Sequence, residues 1–217
     1  MNPGFEGLLQ PGDRAPDFTL SSVQTDGIVS LSDYRNGRGL FLGLFRGLYC
    51  PFCRRAIAQM AASAEKLKPL GIESLGVVAT DLENARLYYR FRPMHLPLAV
   101  DPTLATHKSY RLPKPDLTPK LMEVIGEIRV NPNGELPAPM RLEEAAGMLD
   151  KLDGFQRTDV DQRDAAHFMQ LEGQFLIDRD GVIRWANIEC AQEGPAGMGK
   201  FPTVDELMAA AQIATSA

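Results

Sequence analysis

Two cysteines separated by two residues, Cys50 and Cys53, are the side chains of this sequence whose types and spacing best suit chemistry. Residues three apart on a helix share one face, with Cβ atoms about 5–6 Å apart, and a disulfide can bridge that distance after a small adjustment. Pro51, which lies between them, suits the first turn of a helix. The pair is therefore predicted to cycle between a dithiol and a disulfide.

The place of each cysteine in that helix predicts its role. Cys50 falls at or just before the first turn, where unpaired N–H groups and the helix dipole stabilise an anion. A thiol with a pKa of about 8.5 is only about 3% thiolate at pH 7, and a pKa of about 7 raises that share to roughly half. Arg46, Arg54 and Arg55 are cationic neighbours that could lower the pKa further, although the last two would equally suit positions facing solvent. Cys50 is predicted to be the nucleophile, and Cys53 the more buried, resolving thiol.

The elements around the pair predict an α/β protein. Residues 39–45 are almost wholly apolar, which is typical of a strand covered on both faces, and a helical pattern follows over 51–67. Further strands are predicted over 72–79 and 98–100, with a helix over about 82–92 between them. This alternation indicates a parallel sheet, with the cysteines at a strand-to-helix junction.

The second half of the sequence departs from that rhythm. Six prolines interrupt residues 113–164, which contain one clear amphipathic helix at 142–152. We expect an insertion packed on the sheet, because a structureless loop of this length is uncommon in a compact domain. Two strand patterns, 174–177 and 182–188, then flank a turn sequence and predict an antiparallel hairpin. Residues 1–217 are predicted to form one domain, and its last helix begins near Thr203.

Composition and charge argue against several partners. A net charge of −5 and a pI near 5.3 disfavour nucleic acid and anionic membranes, because both require a concentrated excess of Lys and Arg. The apolar run at 40–45 is far shorter than the roughly 20 residues that cross a bilayer, and the N-terminus does not resemble a secretory signal. A cytoplasmic location is expected. Three cysteines in such a compartment suit a redox or metal-binding role rather than a disulfide framework.

Two other interpretations of the cysteine pair stay open. Both side chains could be buried helix cysteines that pack as small hydrophobes. A zinc site would take its four ligands from Cys50, Cys53, Cys190 and one of His95, His107 or His167. No second ligand pair at zinc-finger spacing is present, and a proline lies between the cysteines at a strand–helix junction. The redox role, without metal or cofactor, is therefore favoured.

Four segments resemble the peroxiredoxin-like group of the thioredoxin superfamily that is called alkyl hydroperoxide reductase/thiol-specific antioxidant. They are GDRAPDFTL at 12–20, FRGLYCPFCR at 45–54, LPLAVDP at 96–102 and FLIDRDGVI at 175–183. The resemblance implies a thioredoxin-like fold, with a central mixed β-sheet flanked by helices, an N-terminal extension and a helical insertion before the C-terminal hairpin. It also implies peroxide reduction, a homodimer, and a cellular dithiol, from the thioredoxin or glutathione system, as the reductant.

The residues around the cysteines differ from that group. Peroxiredoxins have a Pro seven residues and a Thr or Ser three residues before the nucleophilic cysteine, and an Arg before the final hairpin. The corresponding positions here hold Gly43, Gly47 and Glu172, and Arg46 is a candidate to replace the missing Arg. Glu172 is expected to be a solvated loop carboxylate, with the alternative that it faces the pair and tunes proton transfer to Cys53.

The sequence therefore favours a thiol oxidoreductase with Cys50, Cys53 and Arg46 as its catalytic residues. Cys50 would attack a peroxide oxygen, as the overall resemblance implies, or a disulfide sulfur, as the Cys-Pro-Phe-Cys sequence implies through its resemblance to thioredoxin and glutaredoxin centres. Cys53 would then close an intramolecular disulfide. A non-catalytic binding or sensing module, with the insertion at 113–164 as its partner surface, is the alternative from another class.

Overall fold

The structure, a computed structural model, describes residues 5–34 and 37–215. Its strands, in chain order, are β1 (Thr19–Ser22), β2 (Ile28–Ser30), β3 (Gly39–Phe45), β4 (Ile72–Val78), β5 (Leu98–Val100), β6 (Arg129–Val130), β7 (Met140–Arg141), β8 (Gly173–Ile177) and β9 (Ile183–Ile188). Its α-helices are α1 (Pro51–Leu67), α2 (Leu82–Phe91), α3 (Ala105–Ser109), α4 (Pro119–Glu127), α5 (Leu142–Asp153), α6 (Asp159–Asp164) and α7 (Val204–Thr215). Within the described ranges, none of the helices has the length and apolar content required to span a membrane.

The central sheet is mixed and has the order β2-β1-β5-β4-β3-β8-β9. In the centre of the sheet, β3 pairs with β4 and β4 with β5 in parallel, and β3 pairs with β8 in antiparallel orientation. The predicted hairpin is β8–β9, which extends the sheet at one edge. The expected thioredoxin-like α/β fold, with a mixed sheet flanked by helices, is confirmed.

Helix α1 is the crossover between the parallel strands β3 and β4; it contains Cys53, and Cys50 directly precedes its first residue. Its buried positions include Cys53, Ile57, Met60 and Leu67, which follow the three- and four-residue spacing of one helix face. Apolar side chains at this spacing explain why the segment forms a helix that covers the sheet. Since the helix begins just beyond the carboxyl end of β3, its first turn lies at that end of the sheet.

The predicted insertion contains the small β6–β7 sheet and the helices α4, α5 and α6. The amphipathic helix predicted at 142–152 is α5, which buries Ala145 and Leu149. It contacts α1, the helix that itself covers the sheet. The insertion therefore reaches the helix of the cysteine pair.

Candidate active site

Cys50 is the residue that caps the N-terminus of α1. Its backbone is extended, with φ −86° and ψ 115°, and its sulfur accepts a hydrogen bond from the Cys53 N–H at 3.4 Å. The sulfur thus takes the place that a serine or aspartate oxygen has in an ordinary cap. An anion at this point faces unpaired N–H groups and the positive end of the helix dipole. The expected location of Cys50 at a helix start is confirmed.

The two cysteines are free thiols that differ in exposure. Their sulfur atoms lie within 4.8 Å of each other, so a disulfide needs only a small movement. Cys53 is fully buried, whereas Cys50 keeps 7% of its surface exposed. Cys50 is therefore the less buried residue of the pair.

Glu172 contacts Cys53 directly. The Cys53 thiol donates to Glu172 Oε1 at 2.5 Å, and only 6% of Glu172 is exposed. The expectation of a solvated carboxylate was wrong, and the alternative that it faces the pair is what the structure shows. The physical reason is the strand register: Glu172 directly precedes β8, and Gly173 pairs with Leu44 near the carboxyl end of β3. That pairing brings the carboxylate to the start of α1.

Arg46 lies beneath the pair in a buried ion cluster. Its Nε donates to Glu172 Oε1 at 3.2 Å, a second nitrogen donates to the Phe168 carbonyl at 3.1 Å, and the third donates to Glu189. Glu189 also accepts the N–H groups of Glu172 and Gly199, at 3.2 and 2.8 Å. Sequence reasoning missed Glu189, although an acidic residue directly after the last hairpin strand was a signal that could have identified it.

The cluster shifts the pKa values of the two thiols in opposite directions. Burial alone would raise the pKa of the Cys50 thiol, but the hydrogen bond with Cys53 and the charge of Arg46 outweigh it, so this pKa lies below its ordinary value. Burial and the interaction with Cys50 raise the pKa of Cys53. Burial, reinforced by the charge of Glu189, also raises the pKa of Glu172, against the opposing effect of Arg46. The geometry therefore suits a Cys50 thiolate beside a protonated Cys53.

The other two candidate cations pair with carboxylates of the insertion. Arg54 is buried and forms ion pairs with Asp150 and Asp153 of α5, so a solvent-facing position was wrong for this side chain. Arg55 pairs with Asp153 and with Glu135. Both arginines hold the insertion against α1, and Arg46 is the cation that faces the cysteine pair.

The zinc site considered from the sequence is not assembled. Among the described residues, the one cluster of metal-ligand atoms is Cys50, Cys53 and Glu172, without Cys190 or a histidine. This set is one ligand short of the four that a structural zinc site takes, and its carboxylate is already paired with Arg46. Cys190 lies in a turn with φ +62°, and burial and the charge of Glu189 raise its pKa to about 12.

The two glycines at the positions of peroxiredoxin Pro and Thr or Ser leave room for neighbouring side chains. A Cβ at Gly43 would lie 2.7 Å from the Met60 sulfur. A Cβ at Gly47, where φ is +154°, would lie 2.6 Å from the ring of Tyr49. Both distances are shorter than real contacts, so a larger residue at either position would force the neighbouring side chain to shift.

Comparison with known proteins places these features in a family. The family model described as the AhpC/TSA family matches residues 11–186. "Peroxiredoxin 2" of Picrophilus torridus is 32% identical over 73 residues, which are 34% of this chain and 35% of that protein. "Thiol-disulfide oxidoreductase ResA" of Halalkalibacterium halodurans is 29% identical over 122 residues, 56% of this chain and 67% of that protein. The match therefore spans only about a third of the length of the first relative.

Solved structures share the fold at low sequence identity. The Peroxidoxin BcpB structure from Mycobacterium tuberculosis has a TM-score of 0.57 at 13% identity and covers 94% of this chain and 97% of that one. The reduced 2-Cys peroxiredoxin from Plasmodium vivax also has a TM-score of 0.57, at 15% identity, covering 93% of this chain and 80% of that one. Because the family model covers most of the sequence, from the N-terminal extension to the last hairpin strand, this chain belongs to the AhpC/TSA family.

Proposed function

We propose that this protein is a peroxiredoxin-like thiol oxidoreductase that reduces a peroxide at Cys50 and is itself oxidised to a Cys50–Cys53 disulfide. The observation that carries the proposal is the helix cap: the Cys50 sulfur caps the N-terminus of α1, and Cys53 lies behind it in contact with Glu172. This arrangement supplies a nucleophile, a resolving thiol and a proton acceptor in one place.

The first step is attack by the Cys50 thiolate on one oxygen of the peroxide. A sulfur–oxygen bond forms, the oxygen–oxygen bond breaks, and the departing oxygen takes up a proton, which leaves Cys50 as a sulfenic acid. The lowered pKa of Cys50 favours the reactive thiolate at neutral pH. Arg46 contributes the positive charge that helps to keep this sulfur ionised.

The second step closes the disulfide. Cys53 transfers its proton to Glu172, whose oxygen is 2.5 Å from the sulfur, and the new thiolate attacks Cys50. A sulfur–sulfur bond forms and the sulfenic oxygen leaves as water after protonation. The raised pKa of Glu172 brings its basicity closer to that of the thiol, which favours proton transfer. A cellular dithiol, from the thioredoxin or glutathione system, then reduces the disulfide by exchange.

A disulfide oxidoreductase is the second candidate, since the same pair could attack a disulfide sulfur instead of a peroxide oxygen. The buried carboxylate at the second cysteine and the similarity to the thiol-disulfide oxidoreductase ResA support it. The cytoplasmic location, the homodimer and the identity of the reductant stay predictions. A non-catalytic module would require Cys50 to titrate as an ordinary, unreactive thiol.

The two candidates are separated by following the reduced protein in a stopped-flow instrument. We expect fast oxidation by hydrogen peroxide or an alkyl hydroperoxide, slow reduction of insulin or of a glutathione mixed disulfide, and a product with a Cys50–Cys53 bond by mass spectrometry. Cys50→Ser should abolish the reaction, Cys53→Ser should stop it at the sulfenic acid, and Cys190→Ser should be unchanged. Peroxide reduction that survives Cys50→Ser would refute the proposal.

A further inference from the structure

Tyr49, the residue directly before Cys50, has a buried hydroxyl without a hydrogen-bond partner. Only 6% of Tyr49 is exposed, and its hydroxyl is among the few buried polar atoms of the described residues that make no hydrogen bond. Buried hydroxyl groups are nearly always bonded, because an unsatisfied one destabilises the fold. A buried donor that lacks a protein acceptor is therefore poised for an acceptor that arrives from outside.

The position of this side chain is fixed by its neighbours. Tyr49 directly precedes Cys50 and its ring lies over Gly47, where a Cβ would come within 2.6 Å of the ring. Any residue larger than glycine at position 47 would displace the ring. Burial first, then the charges of Cys50 and Cys53, raise the pKa of Tyr49 well above its ordinary value, against the opposing charge of Arg46. The phenol thus stays protonated and remains a donor.

Arg46, the other side-chain donor near the pair, already makes hydrogen bonds to the protein. Each of the three guanidinium nitrogens of Arg46 donates to an acceptor of the chain, namely Glu172, Glu189 and the Phe168 carbonyl. Attack on a peroxide places negative charge on the departing oxygen, and such charge needs a donor in the site. Among the described side chains next to Cys50, the Tyr49 hydroxyl is a donor without any protein acceptor.

We propose that Tyr49 is a catalytic residue whose hydroxyl donates a hydrogen bond to the oxygen that leaves when Cys50 attacks a peroxide. This inference rests on the proposed function. The Cys50 sulfur forms a bond to one peroxide oxygen and is oxidised by two electrons, while the oxygen–oxygen bond breaks and the peroxide is reduced. The departing alkoxide or hydroxide accepts a hydrogen bond from the phenol, which keeps its own proton, and is protonated by solvent water.

Tyr49→Phe tests this role, because it removes one oxygen and leaves the ring on Gly47. The rate constant for oxidation of Cys50 by hydrogen peroxide should fall by roughly 10- to 100-fold, towards the loss seen when one donor to a developing oxyanion is removed. The melting temperature should be unchanged or higher, since the variant removes an unsatisfied buried group. Tyr89→Phe is the matched control: its hydroxyl donates to the Met94 carbonyl outside the site, and its rate should equal that of the wild type.

A second reaction separates donor loss from a disturbed thiol. Iodoacetamide alkylates the same thiolate but releases iodide, which needs no proton, so its rate and pH profile should be the same in Tyr49→Phe and the wild type. A peroxide rate within twofold of the wild type, or equal losses in the two reactions, would show that Tyr49 is only structural. Failure of the proposed function has a different signature, since peroxide reduction would then persist in Cys50→Ser.

Discussion

Arg46 and Arg54 are both buried, lie on either side of the cysteine pair in the sequence, and form ion pairs with two carboxylates each. The partners of Arg46 are Glu172 and Glu189, whose side chains are 8% and 3% exposed. One of these carboxylates also holds the thiol of Cys53. The ions of this first cluster are therefore almost completely removed from water and are connected to the reactive sulfurs.

Arg54 belongs to a cluster that connects α1 to the insertion. Its partners Asp150 and Asp153 are 16% and 20% exposed, and its guanidinium lies 3.8 Å from the centre of the Phe155 ring. Arg55 adds a second positive charge through Asp153. Arg157 pairs with Asp150, and Glu135 with Arg55, so this second cluster contains three arginines and three carboxylates, and its carboxylates contact solvent.

The balance of charge explains why one cluster perturbs the sulfurs and the other does not. In the first, one arginine faces two buried carboxylates, and burial raises the pKa of Glu172 against the opposing charge of Arg46, which the charge of Glu189 partly offsets. In the second, hydrogen bonds and charges from Arg55 and Arg54 outweigh burial and lower the pKa of Asp153. A buried cluster with more carboxylates than cations favours protonation of one carboxylate, whereas a cluster with equal numbers of both keeps its ions charged and holds two helices together.

Removing each arginine should give the largest contrast. Arg46→Met leaves two carboxylates buried without a cation, so we expect a loss of about 3–5 kcal/mol in the free energy of unfolding. It should also raise the pKa of the Cys50 thiol. Arg54→Met should cost only about 1–3 kcal/mol, because its partners reach water, and should leave Cys50 unchanged. Urea unfolding and the pH profile of Cys50 alkylation measure the two effects.

Arg46→Lys is the control for loss of folding in Arg46→Met, since it keeps the positive charge but loses the planar set of donors. It should fold and should keep more of the lowered pKa of Cys50 than Arg46→Met does. An equal change of the Cys50 pKa in Arg46→Met and Arg54→Met would contradict the division of roles between the clusters.

Replacing one carboxylate in each cluster tests proton transfer. Glu172→Gln keeps the shape of the side chain but cannot accept the Cys53 proton, so closure of the disulfide should slow by about 10²-fold, the lower end of the range for a lost general base. The preceding oxidation of Cys50 should change far less. Asp153→Asn should leave both rates as they are. Stopped-flow traces that resolve the two phases, with trapping of the sulfenic acid by dimedone, measure both rates. Slower oxidation of Cys50 with unchanged disulfide closure in Glu172→Gln would contradict the prediction.

The sequence predicted the part of the site that depends on local structure. The buried strand before Cys50, the proline in the first helical turn and the apolar stripe of α1 were enough to place one sulfur at the helix cap and the other behind it. The β8–β9 hairpin was predicted because its turn residues and flanking strands lie next to each other. Each of these features is fixed by residues that are close in sequence.

The two ion clusters were not predicted, because they depend on distant pairings. Glu172 reaches Cys53 only through the register in which Gly173 opposes Leu44, and no pattern around Glu172 itself reports that register. From the sequence, Arg54 is typical of a surface residue in an amphipathic helix; it is buried because α5 packs over it. Burial of a charge is decided by a partner elsewhere in the chain, which local sequence does not contain.

Loss of Asp153 should weaken the contact between α1 and the insertion by a smaller amount. This carboxylate accepts hydrogen bonds from both Arg54 and Arg55, so Asp153→Asn should lower the free energy of unfolding by about 1 kcal/mol. Asp26→Asn is the control, because Asp26 is an exposed partner of Arg86 and should have an effect below about 0.5 kcal/mol. Equal urea midpoints for Asp153→Asn and the wild type would mean that the second cluster does not hold the insertion.

The smallest effect is an opposite pH dependence of stability in the two clusters. The pKa of Glu172 is raised in the folded state, so its contribution is fully present below the ordinary value of 4.5 and is lost as pH rises through the folded pKa. The pKa of Asp153 is lowered, so its contribution is present above the ordinary value of 3.8 and is lost as pH falls through the folded pKa. In the wild type, the urea midpoint should fall as pH rises above 4.5 and should also fall towards acid pH. Glu172→Gln should remove the first decline, and Asp153→Asn should remove part of the second. If both variants altered the same side of the profile, the difference in charge balance between the clusters would not be the cause of their different roles.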